Sequence, residues 1–139
     1  MANPTQRKIF INVAVADLER SVVFFTELGF TFDPEFTDDE AACLIINDQA
    51  FVMMLGKERF GDFTTKAIVD PRHATEAILS VTAPSRDEVD ALVDAAMARG
   101  AQPAGEPIDV EFMYGRSFHD LDGHLWEIFH LAPEAFDEG

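Results

Sequence analysis

Residues 9–30 read IFINVAVADLERSVVFFTELGF. Ile9–Val15 is β-rich, with Ile11, Val13 and Val15 as its strong apolar set. Asp17 stands where a helix N-cap belongs. Leu18, Val22, Phe25 and Leu28 then fall on one helical stripe, closed by Gly29 at the expected left-handed position. Downstream, Thr31–Phe36, Ala41–Ile46 and Ala50–Leu55 read as three strands, with Asn47-Asp48 as a tight turn between the last two. The first half is therefore strand, helix, three strands.

That order returns. After a weakly patterned connection, GKERFGDFTTKAIVDPR, Glu76–Val81 reads as a strand. Ser85 with Glu88 forms a capping-box signature. Val89, Leu92, Val93, Ala96 and Met97 make a second stripe ending at Gly100. A weak strand near 102–106 follows, then Phe112–Asp120, an Asp122-Gly123 turn and Leu125–Leu131. The fold class is α+β: two βαβββ modules, each too small to bury both faces of its own sheet. Module one spans about 8–56, the connection 57–73 and module two about 74–131, all within one domain of 139 residues. The expected architecture is a curved half-barrel sheet with the helices outside. The acidic tail EAFDEG is expected to fray.

Alternation sorts the faces. Phe10, Asn12 and Ala14 are expected opposite the first helix, as are Glu76, Ile78 and Ser80 opposite the second. Cys43, Ile45, Ala50, Val52 and Met54 should share one face. With a two-residue Asp122-Gly123 turn, Phe118 opposes Glu127 and Arg116 opposes Phe129. Tyr114, Arg116, Phe118, Leu125, Glu127 and Phe129 then share a face, with Trp126, Ile128 and His130 on the other. Asn12, Glu76, Tyr114, Arg116 and Glu127 become the polar minority of an apolar cavity, the usual make-up of a small-ligand site. Glu127 is the sharpest signal, since a buried carboxylate is costly unless paired, metal-bound or protonated. Arg116 serves either as its structural counter-charge or as part of the site. Glu76 and Asn12 likewise have bland readings, as a solvated carboxylate and a satisfied amide.

Composition narrows the function. Hydrophobic residues make up 47% and charged residues 26%, as in globular rather than disordered chains. Acidic residues outnumber basic ones 26 to 10, for a formal charge of -16, which argues against nucleic acid and anionic membranes. Cys43 is the single cysteine, so no internal disulfide or multi-cysteine metal site can form, and it reads as a buried small hydrophobe. His119, His124 and His130 are split between faces by alternation. No P-loop, GxGxxG element or GxSxG elbow is present. MANPTQRKIF has no signal-like apolar run, and the expected location is the cytoplasm.

Two segments carry a family resemblance. Val15–Ser21 (VADLERS) with Phe24–Phe30 (FFTELGF), and Phe118–Ile128 (FHDLDGHLWEI), resemble the opening and closing elements of the vicinal oxygen chelate superfamily, which includes glyoxalase I, bleomycin-resistance proteins and extradiol dioxygenases. The resemblance runs from about Lys8 to Leu131. It implies paired βαβββ modules and a homodimer. It further implies a divalent metal held by first-strand and closing-strand residues, here Asn12, Glu76, Glu127 and a position at or beside Val52. Glu76 and Glu127 are the metal candidates and, as proton-moving groups, the catalytic candidates. Asn12, Tyr114, Arg116, Phe118 and Phe129 are the substrate-binding candidates. With Glu in place of a usual His at position 76, and without imidazole ligands, the set suits a hard, oxygen-preferring ion better than zinc, nickel or iron(II). The leading expectation is a protein binding a small, partly apolar molecule in its barrel cavity without an orthodox metal site. The alternatives are a glyoxalase-type lyase or isomerase, with Arg116 or an ion stabilising an enediolate, and a protein sequestering a cationic drug.

Overall fold

A computed structural model describes residues 7–133. The tail 134–139 lies outside them. The elements run β1 (Ile9–Val15), α1 (Leu18–Glu27), β2 (Thr31–Asp33), β3 (Ala41–Ile45), β4 (Ala50–Gly56), α2 (Lys57–Gly61), β5 (Ile78–Thr82), α3 (Arg86–Ala98), β6 (Gln102–Pro103), β7 (Ile108–Val110), β8 (Met113–His119) and β9 (Leu125–Leu131). The chain divides into two compact units between Ile68 and Val69. The α+β class and the repeated modules are as the sequence predicts.

In unit 1 the sheet order is β1-β4-β3-β2, with β1 parallel to β4 and the other pairs antiparallel. Asp17 caps α1 by accepting the Arg20 N–H at 3.1 Å. The helix buries Ser21, Phe24 and Phe25 and packs on β2, β3 and β4. Residues 34–36, expected as strand, form a 3-10 turn because Pro34 cannot donate and the Asp33 carboxylate accepts the Glu35 N–H at 2.9 Å. The connection also supplies a short helix, α2, that the sequence pattern does not signal.

Unit 2 has the order β5-β9-β8-β6, with β7 also pairing β8. Ser85 caps α3 by accepting the Glu88 N–H at 3.1 Å. The helix buries Val89, Val93 and Ala96 against β8 and β9, where Phe118, Trp126 and Ile128 are fully buried. β5 begins at Ile78, two residues later than expected, and β7 is a fourth strand after the helix that the sequence reading missed.

Both hairpin registers are one residue away from expectation, and in a strand that single step exchanges the faces. In unit 1, Ile46 and Asn47 both donate to the Ala50 carbonyl, and Cys43 pairs with Met53. Cys43 and Ile45 therefore share a face with Phe51, Met53 and Leu55. Val52 and Met54 lie on the other, with Ala42 and Leu44. In unit 2 the Asp120 N–H donates to the His124 carbonyl, which makes the turn longer than Asp122-Gly123 alone. Ser117 therefore opposes Glu127, Phe118 opposes Trp126 and Arg116 opposes Ile128.

Candidate functional site

The register places Tyr114, Arg116 and Phe118 against α3, not beside Glu127. Arg116 Nη1 donates to Asp90 Oδ1 and to Asp94 Oδ1, each at 2.9 Å, and the Tyr114 hydroxyl donates to Asp90 at 2.6 Å. The Tyr114 bond, followed by Arg116, holds the Asp90 carboxyl below its usual range. The same bond raises the Tyr114 phenol above its own. An Arg116–Glu127 pair is thus corrected. Asp90 and Asp94, one helical turn apart on α3, are the counter-charges, and the three groups join sheet to helix.

The opposite face of unit 2 carries Glu127. Ser80 Oγ donates to Glu127 Oε1 at 3.2 Å across the parallel β5–β9 pair. Strand alternation adds Ile78, Ser117, His119, Leu125 and Phe129 to this face. Gly115 stands opposite Phe129, where an added Cβ would come within 3.2 Å of the Phe129 Cβ. The face is therefore apolar with a central carboxylate, two hydroxyls and one imidazole. Ser80 was already on the expected face; Ser117 and His119 were missed because the assumed turn put Arg116 and Phe118 in their places.

Glu76 does not join it. The residue precedes β5 in an exposed bend rather than occupying a strand position, which corrects its expected place on that face. In unit 1, Asn12 is exposed at the β1 edge, its amide donating to the Phe10 carbonyl at 3.3 Å. Its register partner is Met53, as Ser80 is the partner of Glu127. By register the first-module counterpart of Glu127 is Met53, the residue beside Val52. Cys43 is fully buried, and burial followed by the Asp33 charge pushes its thiol up, away from thiolate chemistry.

The donor set does not fit a family-type metal centre. Among the described residues no three of His, Cys, Asp and Glu are grouped to hold an ion. At the family positions this chain offers one strand carboxylate, an exposed Glu76 and an exposed amide already bonded to its own backbone. A single carboxylate is too few ligands for a divalent cation held by protein. No helix among the described residues is long and apolar enough to cross a membrane.

The comparisons agree with this architecture. Among curated proteins none matches the chain. A hypothetical protein from S. aureus is similar at 26% identity, over 88% of this chain and 92% of that one, with a TM-score of 0.75. A glyoxalase-related enzyme from Fulvimarina pelagi is similar in fold, at 23% identity over 90% and 88% of the two chains and a TM-score of 0.74. A glyoxalase/bleomycin resistance protein/dioxygenase family enzyme from Burkholderia phytofirmans has a TM-score of 0.71 at 16% identity, over 88% and 96%. The family profile itself matches residues 9–128. The chain belongs to the glyoxalase/bleomycin resistance protein/dioxygenase superfamily.

Proposed function

We propose that this superfamily member binds a small, partly apolar molecule on the unit 2 sheet face that carries Glu127. One observation carries the reading. Glu127 is half-buried between Leu125 and Phe129, and among the described residues its hydrogen-bond partner is the neutral Ser80 hydroxyl rather than a cation. A carboxylate kept on an apolar face without a counter-charge is poised for a ligand that brings a donor. Phe129 and Leu125 supply apolar contact, and Ser80 orients the carboxylate. On the unit 1 sheet, Asn12 is the exposed polar residue at the corresponding register position.

Binding is favoured over turnover. The lyase or isomerase reading needs Arg116 or an ion to stabilise an enediolate, but Arg116 is engaged by Asp90 and Asp94 on the other face. A metal has no place in this reading, because the donor set does not fit one. The protein is proposed to act in the cytoplasm as a homodimer, and light scattering should return the mass of two chains; the mass of one would overturn the dimer. For the site, amide shift mapping with compounds from a small-molecule screen should concentrate changes at Ile78, Ser80, Glu127 and Phe129. Changes confined to the α3 side would reject this face.

A further inference from the structure

A cavity of about 280 Å³ opens within unit 2 on the α3 side of the sheet, opposite the Glu127 face. It lies where the start of α3 meets the β7–β8 turn and the end of β9. Asp87, Arg86, Glu111, Phe112, Tyr114 and His130 are among its walls.

The donors around it are already spent. Arg86 Nη1 donates to Asp109 Oδ1 at 2.8 Å and its Nη2 to the Val110 carbonyl at 2.9 Å, while the guanidinium lies 5.0 Å from the Tyr114 ring centroid. The Tyr114 hydroxyl is committed to Asp90. His130 Nδ1 stands 3.1 Å from the Ala83 carbonyl. A carbonyl can only accept, so Nδ1 carries a proton and is spent on it. By contrast, the Asp87 and Glu111 carboxylates have no hydrogen bond or ion pair among the described residues. Asp87 and Glu88, in the first turn of α3, also answer the positive end of that helix.

We propose that this cavity binds a small organic cation, a primary ammonium on a compact aromatic or aliphatic body. Asp87 and Glu111, two unpaired carboxylates on the cavity wall, complement the charge of an ammonium. The rings of Phe112 and Tyr114 receive the apolar body. The size suits a molecule at the small end of the ligand range. An anion would meet Asp87 and Glu111 with no free cation to offset them. The site is independent of the Glu127 face.

Amide shift titration of the full chain with phenethylamine tests this, with phenethyl alcohol and phenylacetate as neutral and anionic counterparts. The expected result is saturable shifts at Arg86, Met113 and His130 with phenethylamine, and binding weaker by about tenfold or more for both counterparts. Asp87→Asn with Glu111→Gln, both at exposed positions, should weaken phenethylamine by about tenfold or more. The proposal is overturned if phenethylamine gives no saturable shift, if its shifts concentrate at Ile78, Ser80 and Glu127 instead, if either counterpart binds as well, or if the double variant binds as tightly.

Discussion

Trp126 Nε1 donates to Asp120 Oδ2 at 2.9 Å, from a fully buried indole to a buried carboxylate. The other oxygen, Asp120 Oδ1, accepts the backbone N–H groups of Asp122, Gly123 and His124 at 3.0, 3.0 and 2.9 Å. Burial pushes the Asp120 carboxyl up, while His124, the indole and the turn amides pull it the other way. One side chain thus sets the β8–β9 turn and anchors the central residue of the unit 2 core. Asp120→Ala would leave these donors unmet inside the protein and should cost about 3 kcal/mol or more. Chemical denaturation followed by fluorescence of Trp126, the single tryptophan, measures it; a loss below about 1 kcal/mol would contradict the anchoring role.

Gly123 should resist substitution for two reasons. Its φ is +101°, and an added Cβ would stand 2.9 Å from the backbone of Pro71 and Arg72. The first term alone costs about 1–2 kcal/mol, and the second forces the 70–73 turn to move. Gly123→Ala should therefore lower stability by more than about 2 kcal/mol in the same denaturation experiment.

Tyr114 is the single tyrosine, so its phenolate absorbance reads one group. The bond to Asp90 raises its pKa, and the titration midpoint should lie above the ordinary value of about 10. Asp90→Asn should bring it down. Because the folded value is raised, the stability this bond contributes is fully present below the unfolded pKa and is lost as pH rises through the folded one. Asp90, depressed in the folded state, loses its share as pH falls through its own folded value.

Glu127 and Arg116 lie on opposite faces of the unit 2 sheet. Melting of Glu127→Gln and Arg116→Met, singly and together, should give effects that add within about 0.5 kcal/mol. A larger coupling would mean that the two side chains interact after all.

Much of this was legible in the sequence. The helical stripes, the Asp17 and Ser85 caps and the module repeat follow from periodicity and capping chemistry that a short window contains. Register was not, because turn length is fixed by particular bonds. Asp120 gathers three amides into its turn, and the Asn47 side chain accepts the Gln49 N–H at 2.8 Å. One added turn residue moved Arg116 away from Glu127 and brought Ser117 in. β7 escaped notice because all three residues are exposed, and the Arg86 bonds to Asp109 and Val110 tie it down. Glu127 stood out because its strand is apolar on both sides, a signal that survives a register error in its partner.

The central claim is that Glu127 anchors a ligand rather than the scaffold. Thermal melting of the wild type and of Glu127→Gln, with and without a compound selected by screening against the wild type, tests it most directly. The account predicts that the variant melts close to the wild type without ligand and loses most of the ligand-induced rise in Tm. A rise that survives undiminished in Glu127→Gln would contradict it.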